Sequence, residues 1–249
     1  MSSAGSVAPS TDELADRAVR FVRQEFPTAE AGFLGGSVAS GHATASSDLD
    51  VLVLLPDRWS DAAFVHTTRF EGQLVETFAY GRAGLAQWLE RGRAARRPVL
   101  DRLIAEGLPL LTGPITEELR QESRAVLAAG PGPADPDDLA RRAYSISAHL
   151  DDLADRTGPG TDPAEATVLT WAVWQETAEL SLLVGQQWLG TGKWLVREIR
   201  ASGDPFGLAA WAEHRPHLTR LTGIAREVLE QVGGHHQEGF LRGTRPRDL

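Results

Sequence analysis

Two aspartates one residue apart, Asp48 and Asp50, open a run of β-forming residues from Leu49 to Leu55. Side chains at i and i+2 of a strand share a face, so this spacing turns both carboxylates one way while Leu49, Val51 and Val53 turn the other. Like charges held that close repel unless a cation neutralises them, and a hard divalent ion such as Mg²⁺ is the commonest oxygen-bound solution. Upstream, Gly35-Gly36-Ser37-Val38-Ala39-Ser40-Gly41 supplies glycines that let backbone approach a ligand closely, and a hydroxyl donor at Ser37. A helix starting near Ser37 would add free N–H groups and a positive dipole end suited to phosphate.

Several elements must form for these residues to meet. Ser10-Thr11-Asp12-Glu13 reads as an N-cap with a glutamate three residues on, and Leu14, Ala18, Val22 and Phe26 recur at helical spacing until Pro27. Ala31 to Leu34 and Leu49 to Leu55 read as strands near the core. Phe64 to Phe70 and Gln73 to Tyr80 flank Glu71-Gly72, the pattern of a β-hairpin with a tight turn. Beyond Arg82 the periodicity turns helical, except for one short strand at Leu108 to Leu111. Breaker-rich stretches at 130–136 and 157–160 suggest that the chain leaves a first domain near 130 and makes a helix hairpin in a second, and the tail from Arg242 is expected to fray.

Composition narrows the chemistry. At 249 residues and 42% hydrophobic, the chain can bury a sizeable core. It has no cysteine, so disulfides, thiolate catalysis and cysteine-ligated zinc are excluded, and any metal must be held largely by oxygen. The formal charge of -9 works against broad attachment to a nucleic-acid backbone and favours a small-molecule acceptor. No apolar run approaches the ~20 residues of a membrane span, and the N-terminus lacks a signal pattern, so a cytoplasmic protein without membrane attachment is expected.

Gly36-Ser37, a spacer of about ten residues and Asp48-x-Asp50 opening a strand resemble the signature of the DNA polymerase β-like nucleotidyltransferase superfamily. Gly35, Gly41 and Ser47 match its extended form. The resemblance implies an α+β fold: a catalytic domain with a mixed β-sheet flanked by helices over residues 1–130, then a C-terminal α-helical bundle domain over residues 131–249 that closes the cleft. It implies a third metal carboxylate on a neighbouring strand, for which Glu76 is well placed and Glu71, at the turn, is a poorer choice. The helical region further resembles aminoglycoside nucleotidyltransferases, in which a Thr-Gly-Lys or Lys-Trp element follows a long helix; Thr191-Gly192-Lys193-Trp194 matches it, and Lys193 is the only lysine in the chain.

Carried over, Asp48, Asp50 and Glu76 hold one or two Mg²⁺ ions, while Gly35, Gly36, Ser37, Ser47 and Lys193 hold a nucleoside triphosphate. Apart from the resemblance, Glu176 and Glu179 lie three apart on one helix face, and if that face borders the cleft one of them is expected to take the proton of an acceptor hydroxyl, with Glu76 able to serve instead as base rather than ligand. The expected reaction moves a nucleoside monophosphate, AMP from ATP, to a small hydroxylated molecule such as an aminoglycoside-like antibiotic. Protein adenylylation of a toxin–antitoxin type and an inactive nucleotide-binding module are the alternatives. Of the histidines, His42 lies in the loop before Asp48, while His214 with His217 and the His235-His236 pair lack zinc-site spacing. Arg91 to Arg97 reads as a solvated helix end or the wall of an anionic groove.

Overall fold

In the computed structural model, which describes residues 10–41, 44, 47–156, 160, 162–214 and 218–235, Ser10 begins the first helix. Helix α1 (Thr11–Glu25) starts with a capping box: Ser10 Oγ accepts from the Glu13 N–H at 3.2 Å, and the Glu13 carboxylate accepts from the Ser10 N–H at 2.7 Å. Those bonds satisfy two donors that a helix start otherwise leaves orphaned. Its buried face is Leu14, Ala18, Phe21 and Val22.

The chain divides into two compact units, Met1–Ala129 and Gly130–Leu249. In the first, α1 is followed by β1 (Ala31–Leu34), the one-turn helix α2 (Gly36–Ala39), β2 (Leu49–Leu54), β3 (Ala63–Phe70), β4 (Gln73–Tyr80), α3 (Arg82–Ala94), α4 (Val99–Glu106), β5 (Leu108–Leu111) and α5 (Pro114–Ala129). The strands form one mixed sheet in the order β3-β4-β2-β1-β5. β2 runs parallel to β4, and the remaining neighbours are antiparallel. The β3–β4 hairpin turns at Glu71-Gly72, both with positive φ, and the Arg20 guanidinium clamps the Glu71 carboxylate at 2.6 and 2.9 Å.

Both faces of the sheet are covered. Leu49, Val51 and Val53 of β2 and Val75 and Ala79 of β4 cluster with the apolar face of α1. Leu52, Leu54 and Tyr80 point the other way, toward Leu85 and Leu89 of α3 and Ile104 of α4. Strand β2 is therefore buried on two sides, which explains its nearly unbroken apolar run.

The second unit is helical: α6 (Pro136–Asp155), α7 (Pro163–Val184), α8 (Lys193–Ala201), α9 (Leu208–His214) and α10 (Leu218–Glu230). Asp135 and Asp162 cap α6 and α7, each followed by a proline in the first helical position, whose missing N–H costs nothing there. Ile146, Leu150, Val173, Leu180, Leu195 and Leu221 belong to its single core. Among the described residues, no helix is long and apolar enough to cross a membrane. The tail from Arg242 and residues His42, His217 and His236 lie outside the described residues.

One ion pair braces the α3–α4 corner. Asp101, fully buried, receives hydrogen bonds from Arg93 at 2.8 and 3.2 Å, and Arg93 also reaches Glu122 of α5 at 3.1 Å. The bond to Asp101 holds the Arg93 guanidinium charged more firmly than in water. Removing one partner of such a pair leaves a buried charge uncompensated. Arg93→Met is expected to lower unfolding free energy by about 3 kcal/mol, read from urea denaturation; a loss below about 1 kcal/mol would make the pair an ordinary surface bridge.

Candidate active site

The alternation of β2 decides where its acids point. With Leu49, Val51 and Val53 buried against α1, Asp50 must lie on the opposite face. The parallel register places Asp50 directly across from Glu76 of β4, and Asp48 precedes the first residue of β2. One carboxylate oxygen from each of Asp48, Asp50 and Glu76 lies within 4.8 Å of the others, and all three side chains are half-buried. An octahedral Mg²⁺ with ligands at ~2.0–2.1 Å separates adjacent oxygens by roughly 3 Å, so small rotations bring this all-oxygen cluster onto one ion. The cluster thus has the donor chemistry and the convergence that a hard divalent cation requires.

Gly36 is fitted to that cluster. Its φ is +67°, and a Cβ built there would collide with the Asp50 carboxylate. The Gly35 N–H donates to the Asp50 carbonyl at 2.8 Å, so the glycine pair is pinned to the strand that carries the acids. The α2 helix that follows has a single turn, with Gly35 as its N-cap. A single turn sums little helix dipole, so its start offers backbone N–H groups more than a net field.

Ser37 and Ser47, ten residues apart, meet directly: Ser37 Oγ donates to Ser47 Oγ at 3.1 Å, and Ser47 Oγ accepts from the Thr44 N–H at 2.8 Å. The backbone leading into Asp48 is held from the hairpin side as well, because Gln73 Nε2 donates to the Ser47 carbonyl. Arg17 of α1 donates in turn to Gln73 Oε1 at 3.4 Å. Gln73 was invisible to sequence reasoning: a glutamine at the start of an amphipathic strand carries no local signal. Glu71 is turned to the clamp with Arg20 and lies outside the acidic cluster; that hydrogen bond, aided by Arg17, holds its carboxyl below the usual range.

The remaining predicted residues belong to the second unit. Glu176 accepts from Ser145 Oγ at 3.0 Å and pairs with His149 Nδ1 at 2.9 Å, whereas Glu179 accepts from Arg142 at 2.9 Å. Both glutamates of α7 thus reach the same face of α6. Trp174 is buried, with its indole N–H on the Leu208 carbonyl at 3.0 Å, while Trp171 is half exposed and meets Trp174 and Trp211 edge-on. Lys193 is exposed at the first turn of α8, next to Gly192 with φ +55°. His214 is turned to the Ala210 carbonyl and His235 to Asp151.

Gly36→Ala is expected to displace the Asp50 carboxylate and weaken divalent-cation binding by about tenfold or more, as losses of residues supporting a metal ligand do. Calorimetric titration with Mn²⁺ measures it; unchanged affinity would mean that Asp50 takes no part in holding the ion.

Residues 15–95, from α1 to just past α3, match the family model described as the nucleotidyltransferase domain. No curated protein matches the chain. Among solved structures, a nucleotidyltransferase-like protein from Exiguobacterium sibiricum 255-15 is 16% identical, with a TM-score of 0.43, over 87% of this chain and 73% of that one. The matched span contains Gly36, Ser37 and all three clustered acids, and on that basis the first unit carries a nucleotidyltransferase domain.

Proposed function

We propose that the protein transfers a nucleoside monophosphate, AMP from ATP, to a hydroxyl of a small molecule and releases pyrophosphate. The observation that carries this reading is the convergence of Asp48, Asp50 and Glu76 beside the Gly36-Ser37 turn, within the span that matches the nucleotidyltransferase domain. Asp48, Asp50 and Glu76 hold Mg²⁺, which when bound neutralises phosphate charge and eases approach of an oxygen nucleophile to the α-phosphorus. The N–H groups of the Gly36–Ala39 turn and the Ser37 hydroxyl orient the phosphates, so that attack in line is set before chemistry begins. Ser47, tied to Ser37, keeps that turn in step with Asp48.

Lys193 supplies a cation to the triphosphate in this scheme. Of the two α7 glutamates, Glu176 is the better proton acceptor. Its partners, a hydroxyl and an imidazole, can pass a proton on; the guanidinium that holds Glu179 cannot. The acidic balance of the chain, -9, favours a polycationic acceptor of the aminoglycoside kind over a nucleic acid.

Pyrophosphate release from each of the four ribonucleoside triphosphates with Mg²⁺, across aminoglycoside and nucleoside acceptors, tests the reaction. Release that depends on an acceptor and is lost in Asp48→Ala/Asp50→Ala is the expected result. Asp50→Asn alone should lower turnover by at least ~10²-fold through lost charge stabilisation, and near-normal turnover in that variant would sink the metal assignment. Glu176→Gln should lower kcat by about 10²-fold, the usual size of a general-base effect, with Glu179→Gln milder. The reverse order would exchange their roles.

A further inference from the structure

A cavity of about 580 Å³ lies within the first unit between the β3–β4 hairpin and the α3–α4 corner. Its size falls in the range of small-molecule sites, ~300–1,000 Å³. None of Asp48, Asp50 and Glu76 lines it. Phe78 and Tyr80 contribute from β4, with Val65 and Ala63 opposite them on β3. Trp88 closes one side, its ring 6.4 Å from that of Tyr80, and Val99 and Leu100 close another.

Two features set this cavity apart from an ordinary surface depression. Of the eight large apolar side chains most exposed among the described residues, three border it: Val65, Trp88 and Val99, at 52, 43 and 65%. Apolar surface gathered in one concave place marks a binding site more often than the same surface scattered singly. The charge at its border is also one-sided. Arg91 and Arg97 line it, with the Arg91 guanidinium 5.1 Å above the Trp88 ring. Asp101 is the only acid among its described lining residues, and the hydrogen bonds from Arg93 already neutralise it. A cationic ligand would find no available carboxylate there, in contrast to the net negative charge of the whole chain.

From the aromatic lining and the arginine that lies over it, Arg91, we propose that this cavity is a separate binding site for a flat apolar molecule bearing an anionic group. Its rings would stack among Trp88, Phe78 and Val65, and its anion would lie toward Arg91.

The probe that tests this is 8-anilinonaphthalene-1-sulfonate, read by fluorescence, beside N-phenyl-1-naphthylamine, which has the rings without the sulfonate. The full-length protein should bind one sulfonate probe per chain. Val65→Glu should weaken both probes by about tenfold or more, while Arg91→Glu should weaken only the sulfonate to that extent. Asp50→Asn should change neither, which separates this site from the transferase chemistry. Both substituted positions are exposed, and Arg91→Glu alone carries the test should Val65→Glu fail to fold. Two results would overturn the proposal: sulfonate binding indifferent to Arg91→Glu, or a dimer in sedimentation that Val65→Glu converts to monomer, since a second copy along edge strand β3 would then cover this face.

Discussion

Leu49, Val51 and Val53 pack beneath α1, and because side chains alternate along a strand, burying them there turns Asp50 to the other face of the sheet. The parallel pairing of β2 with β4 extends that choice across the sheet: Val75 and Ala79 share the α1 face, and Glu76 is carried opposite Asp50. A slip of one residue in either strand would turn the acids toward α1 and the valines away from it, so the hydrophobic core and the acidic cluster enforce a single register. The carboxylates are close to one another because the apolar residues between them leave no other arrangement.

That closeness has a cost, and the surrounding residues meet it with geometry more than with charge. Gly36 leaves open the space that Asp50 fills, and Gly35 ties the turn to the strand through the Asp50 carbonyl. On the other side, Gln73 and the Ser37–Ser47 hydroxyl pair hold the backbone that enters Asp48. Arg17 and Arg20 of α1 pair with Glu71 at the hairpin tip. Three half-buried carboxylates with this support are an arrangement suited to a divalent cation, consistent with a nucleotidyltransferase domain.

Charge is distributed unevenly over the chain, and its local arrangement matters more than its total. The α6–α7 pair holds an alternating polar seam in which Arg142, Ser145 and His149 meet Glu179 and Glu176. The α3–α4 corner instead uses Arg93 to neutralise its one buried acid, and Arg91 lies over the aromatic wall of the neighbouring cavity. A protein of net charge -9 thereby presents an acidic cluster and a basic-edged apolar cavity within a single unit.

Much of this was readable from local chemistry. The capping box at Ser10, the Glu71-Gly72 turn, the alternation of β2 and the Gly-Ser/Asp-x-Asp spacing depend on residues near one another in the chain, so periodicity and steric preference suffice to find them. Even Glu76 is legible locally, because an acid between Val75 and Phe78 on a strand asks for a partner. Tertiary structure alone decided its alignment with Asp50, since strand pairing between residues 26 positions apart is set by packing across the sheet and not by either segment. It also decided the part played by Gln73, the division of Glu176 and Glu179 between an imidazole and a guanidinium, and the use of Arg93 to cancel Asp101. Those contacts depend on which surfaces the core brings together, and sequence distance carries no record of that.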